Sequence, residues 1–218
     1  MPVDLSQVVY ALGRSGPGGI VTLLGTCFAV GPNLVATAFH VAGADDTNLV
    51  LVLPKLQSLN DYQDTSDTSL RSIPLRLAAP DPVRDLSVFE VPGDVTLTFP
   101  YLLSGCDLVE TGDPVVTMGF PHANVGRLVL TQQLAHVGAR ILIENSGRKS
   151  KHIVTNTQAR EGQSGGPVLD ASMSKVVAVL VGSFAPGGGG AISLGGVDPW
   201  TLHQTTHAVS AEYLSEML

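Results

Sequence analysis

Cysteine, charged and aromatic residues are all scarce in this chain. Two of the 218 residues are cysteine, Cys27 and Cys106, and a pair so far apart gives no disulfide framework of the kind that extracellular enzymes carry. We therefore expect two free, mostly buried thiols. Charged residues make up 14% of the chain and hydrophobic residues 44%, which is sufficient for a sizeable core.

The chain also lacks a basic face. Its formal net charge is −7 and its isoelectric point is near 5.2. Binding to nucleic acid requires clustered Lys and Arg side chains that neutralise phosphates, so nucleic acid is not an expected partner. The one basic run, residues 148–152, is interpreted as the solvated tip of a hairpin.

Long apolar runs are missing as well. No uninterrupted stretch approaches the ~18 residues that a membrane span requires. The first residues lack the basic region and the apolar segment of a secretory signal peptide. From these features we expect no membrane partner and a cytoplasmic location.

Glycine and proline, in contrast, are abundant, with 24 and 14 copies. Short apolar or alternating runs recur between them, for example at residues 26–30, 34–38 and 86–91, and this pattern is typical of an all-β sandwich or barrel. Helices are expected in two places: a short one over residues 4–12 and a C-terminal one that Ser210 caps.

The segment of residues 162–167 reads Gly-Gln-Ser-Gly-Gly-Pro, which is poor material for a helix or a strand. Such a turn can expose the hydroxyl of Ser164 and direct consecutive backbone N–H groups at one point. A serine that attacks carbonyl groups needs this combination of a nucleophile and a preformed anion site. The turn therefore predicts a base and an orienting acid elsewhere in the chain.

The candidate base is His40, which ends the apolar run of residues 35–40 and so lies where a strand leaves the core. The candidate acid is Asp85, which precedes the alternating strand of residues 86–91. Each residue alone is unremarkable in such a position, and the three become informative together because they follow the order His, Asp, Ser.

These three segments, together with Gly-Asp-Pro-Val-Val-Thr-Met-Gly-Phe-Pro at residues 112–121, resemble the chymotrypsin-like serine peptidases. The similarity is closest to bacterial members of the HtrA/Deg type and extends over residues 19–218. It implies two six-stranded antiparallel Greek-key β-barrels with the active site between them. The implied division is an N-terminal extension over residues 1–18, barrels over 19–98 and 99–208, and a C-terminal helix over 209–218.

The resemblance also implies roles for individual residues. Ser164 would be the nucleophile, His40 its base and Asp85 the group that orients the imidazole. The N–H groups of Gly162 and Ser164 would form the oxyanion hole, and no metal or cofactor would be needed. The expected partner is a protein or peptide substrate, with a regulatory partner or a fused domain as a further expectation.

The residue before the serine departs from the digestive and clotting members of that family. They carry an aspartate before the serine, whereas this chain has Gln163, so no zymogen switch of that type is expected. Similarity places Gln158, Ser183 and His207 in the substrate pocket. A neutral amide at position 158 does not favour a basic residue at the cleaved bond.

Two alternatives remain open at this stage. The pattern Gly-x-Ser-x-Gly also occurs in the nucleophile elbow of α/β-hydrolases, with Asp170 or Asp198 and His203 or His207 to complete it. That elbow must lead into a helix, which Gly165-Gly166-Pro167 disfavours. The other alternative is a trypsin-like binding module that is catalytically silent or depends on an activator.

Overall fold

A computed structural model describes residues 4–93, 95–184 and 205–218 of the chain. The described residues are mostly β, which confirms the predicted all-β fold. They form fourteen strands: β1 Val9–Ser15, β2 Val21–Ala29, β3 Leu34–Ala38, β4 Leu49–Val52, β5 Ser72–Pro74, β6 Arg76–Asp81, β7 Leu86–Glu90, β8 Leu102–Leu103, β9 Pro114–Gly119, β10 Thr131–Asn145, β11 Arg148–Thr155, β12 Pro167–Asp170, β13 Lys175–Phe184 and β14 Thr205–Ser210.

Helices are short in the described part of the chain. One α-helical turn, α1, covers Phe39–Ala42, and 3₁₀ turns cover Pro17–Gly19, Cys106–Leu108, Ala123–Val125 and Ala211–Glu216. None of the helices in this part has both the length and the apolar character needed to cross a membrane.

The first seven strands form one sheet in the order β5-β4-β1-β2-β3-β7-β6. The described residues leave this sheet open between its two edge strands, so it curls into a half-barrel, which is consistent with the expected two-barrel fold although a closed six-stranded barrel was expected here. The helix predicted over residues 4–12 is wrong, because β1 occupies residues 9–12 of that segment and pairs with β2 and β4. The first sheet therefore begins before residue 19. Pairing with two neighbouring strands satisfies the backbone hydrogen bonds of this apolar run better than an isolated short helix does.

The second sheet closes into a barrel. Its order is β12-β9-β10-β11-β14-β13, and β12 pairs with β13 to complete the ring. The two-residue strand β8 adds to β13 at the outside in a parallel pair. After β14 the chain forms a 3₁₀ helix over Ala211–Glu216, in place of the predicted longer helix. Ser210 does not cap it, because its hydroxyl accepts a hydrogen bond from the N–H of Cys106 at 2.9 Å.

One buried apolar cluster joins the two sheets. It includes Phe28 of β2, Met118 of β9 and Leu214 of the last 3₁₀ turn, none of which is exposed. The two halves thus pack against each other through a shared core, which holds the loops at their boundary in a fixed relation.

The chain after Ser164 continues into strand β12. The α/β-hydrolase alternative requires a helix at this point, so the structure excludes that alternative. Two residues that it invoked, Asp198 and His203, lie outside the described residues.

Candidate active site

His40 and Asp85 form a hydrogen-bonded pair in the first sheet, where β3 ends and the neighbouring strand β7 begins. The Nδ1 atom of His40 lies 2.7 Å from Oδ2 of Asp85, and the backbone N–H of His40 donates to Oδ1 of the same carboxylate at 2.8 Å. The N–H of Phe39 donates to the Asp85 carbonyl at 3.0 Å. Both carboxylate oxygens and the carbonyl of Asp85 therefore anchor the first turn of α1.

The backbone of Asp85 is in the left-handed region, with φ +58°. Aspartate tolerates this conformation better than most residues do. The side chains of His40 and Asp85 are 46% and 32% exposed, so the pair is reachable from solvent. With Nδ1–H directed at a carboxylate, the lone pair of the imidazole is on Nε2, where it can accept a proton.

Ser164 lies in a turn between two glycines with positive φ, Gly162 at +91° and Gly165 at +85°. The turn from Arg160 to Gln163 closes through a hydrogen bond of 3.0 Å from the N–H of Gln163 to the Arg160 carbonyl. A turn with φ near +90° at its third residue is of type II, which favours glycine there. The sequence Gly-x-Ser-Gly thus specifies the backbone path around the serine.

Gln163 secures this turn from the inside. Its side chain is 1% exposed, and its Oε1 atom accepts a hydrogen bond from the N–H of Arg160 at 2.7 Å. Its Nε2 atom donates to Oε1 of Gln133 at 3.2 Å. A neutral amide thus holds the turn with hydrogen bonds, and no ion pair is formed at this position.

The carbonyl groups of the turn all accept hydrogen bonds. Glu161 accepts from the N–H of His122 at 2.6 Å, Gln163 from the N–H of Gly166 at 3.0 Å, and Ser164 from the N–H of Thr26 at 3.0 Å. The N–H groups of Gly162 and Ser164, in contrast, donate to no acceptor among the described residues. Two backbone donors of the serine turn are therefore available to bind an anion.

The serine turn packs directly on the strands that lead to His40. A Cβ atom on Gly165 would collide with the side chain of Thr37 and would lie 3.0 Å from the backbone nitrogen of Ala38. A Cβ atom on Gly25 would meet Val41 at 2.7 Å and the Ser164 carbonyl at 3.1 Å. The structure thus brings the serine turn against the end of β3, the strand that leads to His40, while Gly25 lies between Val41 and the Ser164 carbonyl. Within the described residues no hydrogen bond joins the Ser164 hydroxyl to His40, as is common before substrate tightens such a site.

The predicted pocket residues lie near one another on the second barrel. His207 lies on β14 and pairs with Gly182 on the adjacent strand β13, where Ser183 is the next residue. The side chain of Ser183 lies outside the described residues. Burial lowers the pKa of His207. Gln158 accepts a hydrogen bond at Oε1 from Nη1 of Arg160 at 2.9 Å.

Thr206 ties these pocket segments together. Its hydroxyl donates to the Thr157 carbonyl and accepts from the N–H of Ala159 at 2.7 Å, so it fixes the chain on both sides of Gln158. Residues of this kind, which hold backbone in place through buried hydroxyls, carry no motif that identifies them in one sequence. The described residues contain no group of three His, Cys, Asp or Glu side chains that could hold a metal ion.

Comparison with known proteins decides the family. A family model described as the trypsin-like peptidase domain matches residues 25–179, which is most of the chain. The chain belongs to the trypsin-like peptidase family. The resemblance stated from the motifs is therefore confirmed.

Among curated relatives, this trypsin-like chain is 28% identical over 165 residues to a probable periplasmic serine endoprotease, DegP-like, from Rickettsia conorii. The aligned part covers 75% of the chain and 29% of the relative, so the chain spans less than a third of that protein's length. Relatives of this type support the HtrA branch of the family.

Solved structures show the same fold. The protease domain of MamO from Magnetospirillum magneticum has a TM-score of 0.69 at 14% identity and covers 100% of this chain and 99% of its own. The HtrA-type protease AlgW with a decapeptide has a TM-score of 0.65 at 15% identity, with 97% of this chain and 63% of its own chain covered.

The expected cytoplasmic location is wrong. The curated relatives from Rickettsia conorii and Rickettsia prowazekii are named as periplasmic, which points away from the cytoplasm. Both cysteines are buried in the structure, and burial raises the pKa of each thiol, which disfavours the reactive thiolate.

Proposed function

We propose that this trypsin-like chain is a serine endopeptidase that cleaves peptide bonds through Ser164, His40 and Asp85. The observation that carries the proposal is the packing of the serine turn against the end of β3, the strand that leads to His40, whose imidazole is hydrogen-bonded to Asp85 at 2.7 Å. Three segments distant in sequence meet at the boundary of the two sheets, where a substrate strand could reach all of them.

In the proposed reaction, Oγ of Ser164 attacks the scissile carbonyl carbon while Nε2 of His40 takes the hydroxyl proton. Asp85 holds Nδ1–H and stabilises the imidazolium. The C–N bond then breaks as His40 returns the proton to the leaving amine. Water attacks the resulting ester in the same way, with His40 again as base, and releases the second product and free Ser164.

The oxyanion formed in each step would bind to the N–H groups of Gly162 and Ser164. Support comes from the unused donor capacity of these two groups and from the fixed carbonyls around them. Removing one donor of an oxyanion hole in comparable enzymes slows catalysis by about 10²–10³-fold. Such a site requires its donors to be oriented before substrate arrives.

For the substrate pocket we propose Gln158, Ser183 and His207. Gln158 carries no charge, so a Lys or Arg side chain at the cleaved bond gains no ion pair from it. A library of peptides that varies this one position tests the assignment: cleavage after neutral or acidic residues should exceed cleavage after Lys and Arg. Preference for Lys or Arg would contradict it.

Protein or peptide substrates are the proposed partners, in keeping with the decapeptide bound to the structural neighbour AlgW. The direct test is turnover of a mixed library of internally quenched peptides by the wild-type chain and by Ser164→Ala. Cleavage by the wild type and loss of at least ~10³-fold in the variant is expected. Cleavage that survives in Ser164→Ala refutes the proposal. Absence of cleavage in both proteins would favour the silent binding module.

A further inference from the structure

A single buried residue of the first sheet, Thr26 of β2, bonds to the serine turn and to the loop that supports it. It is 0% exposed and makes four hydrogen bonds, two through its hydroxyl and two through its backbone. We propose that Thr26 is a positioning residue that sets the orientation of the oxyanion hole. This inference rests on the proposed peptidase function.

The hydroxyl bridges two backbone groups of the second half of the molecule. It donates to the Gly162 carbonyl at 2.7 Å and accepts from the N–H of Phe120 at 3.0 Å. A hydroxyl has one donor and two acceptor sites. The Thr26 hydroxyl both donates to and accepts from groups that lie far from Thr26 in sequence. Few other side chains of this size can donate and accept at once.

The backbone of Thr26 is itself fixed. Its N–H donates to the Ser164 carbonyl at 3.0 Å, and its carbonyl accepts from the hydroxyl of Thr37 at 2.7 Å. A Cβ atom added to Gly119 would lie 3.0 Å from the Thr26 hydroxyl oxygen, so the space around it is filled. Thr26 therefore has little freedom to follow a movement of the turn.

The hydroxyl acts on the donors of the oxyanion hole by two routes. Directly, it holds the Gly162 carbonyl and so restricts rotation of the peptide between Gly162 and Gln163. Indirectly, it holds Phe120, which begins the tight turn that carries His122. The N–H of His122 binds the Glu161 carbonyl at 2.6 Å, and in a trans peptide this directs the N–H of Gly162 the opposite way.

Loss of the hydroxyl would leave two buried backbone groups without partners, the Gly162 carbonyl and the Phe120 N–H. Unpaired buried polar groups are costly, and rotation of the peptides next to Gly162 would reduce the cost. Glycine permits such rotation because it has no Cβ atom. The expected consequence is a turn that samples orientations in which the N–H of Gly162 no longer faces the oxyanion.

The test compares Thr26→Val, which keeps the shape and removes the hydroxyl, with Thr26→Ser, which keeps the hydroxyl. Tyr101→Phe is the matched control, because its hydroxyl is also buried and donates to a carbonyl of the same strand, that of Ala29, at 2.7 Å. Two quantities are measured in each protein: kcat and KM for peptide hydrolysis, and the rate of amide hydrogen exchange in residues 119–123 and 160–166.

In Thr26→Val we expect kcat to fall by about 10- to 100-fold, less than for a lost oxyanion donor, with KM little changed. Amide exchange in the two segments should become faster. Thr26→Ser should restore both values, and Tyr101→Phe should leave kcat and the exchange of these segments as in the wild type.

An unchanged rate of amide hydrogen exchange in Thr26→Val would overturn the positioning role of Thr26, even if the wild type cleaves no peptide. Failure of this inference is therefore distinguishable from failure of the proposed function. Equal kcat in an active wild type and Thr26→Val would overturn it as well. A loss in Thr26→Val that Thr26→Ser does not restore, or one that Tyr101→Phe matches, would show a role in packing alone.

Discussion

The Nδ1 atom of His40 lies 2.7 Å from Oδ2 of Asp85, while Oδ1 of the same carboxylate binds the backbone N–H of His40 at 2.8 Å. One carboxylate thus fixes both the imidazole and the start of the helical turn that carries it. Both contacts lie within the first sheet. The role proposed for Asp85 follows from this geometry.

Asp85→Asn should reduce kcat by about 10⁴-fold, the size of the effect in related triads, with the fold retained. The amide cannot stabilise the imidazolium and favours the wrong tautomer. Asparagine tolerates the left-handed backbone at φ +58°, whereas Asp85→Ala should also lose stability. Kinetic assays and thermal unfolding of both variants check this, and full activity in Asp85→Asn would refute the proposed role.

Gly162→Ala should lower the free energy of unfolding and abolish activity. A Cβ atom there would lie 2.6 Å from the backbone nitrogen of Ala123 and would also collide with the Phe120 carbonyl, in addition to the strain at φ +91°. Gly112→Ala is the control, because it has φ +98° and no atom within 4 Å of the added carbon.

For the control we expect a loss of about 1–2 kcal/mol from backbone strain, and for Gly162→Ala a further ~1–3 kcal/mol from the collision. Unfolding in urea measures both values. Equal losses in the two variants would show that the backbone around Gly162 yields without cost, and the proposed rigidity of the turn would be wrong.

The two cysteines should be inert in the folded protein. Cys27 is 0% exposed, and burial raises the pKa of Cys106 to about 11, so neither forms much thiolate near neutral pH. Iodoacetamide should modify both thiols in denaturant and neither in the native protein, and dithiothreitol should leave activity unchanged. Loss of activity in dithiothreitol would indicate a disulfide.

Stability should fall below neutral pH partly because of His152. This residue of β11 is 6% exposed, and burial lowers the pKa of its imidazole below the ordinary value near 6.5. The unfolded chain therefore binds a proton at a higher pH than the folded chain does. The stabilising contribution is complete above about pH 6.5 and is lost as the pH falls through the lower, folded-state pKa.

Unfolding midpoints measured at several pH values test this expectation. In His152→Gln the loss of stability on acidification should be smaller than in the wild type. His136→Gln, in an exposed position of β10, is the control for the His-to-Gln substitution itself. An identical pH dependence in the wild type and in His152→Gln would exclude a contribution of this imidazole.

The sequence predicted the family and the all-β fold because short motifs and strand patterns are local signals. It failed over residues 4–12, where the apolar run fits a helix face as well as a strand, and the pairing of β1 with β2 and β4 decides the outcome. Pairing of this kind depends on residues distant in sequence, which no local pattern encodes.

In the candidate site, His40, Asp85 and Ser164 were found through their motifs, whereas Thr26, His122 and Thr206 were not. The last three act through backbone hydrogen bonds or a buried hydroxyl, and their partners are far away in sequence or belong to other strands. Among these, His122 acts through its main-chain N–H, so its side chain gives no signal at all.

The most direct test of the account is the site of covalent labelling by a fluorophosphonate probe, located by mass spectrometry of the digested protein. The account predicts one adduct, on the peptide that contains Ser164, lost in Ser164→Ala and formed much more slowly in His40→Gln. An adduct on a different serine, or a labelling rate that is unchanged in His40→Gln, would contradict it.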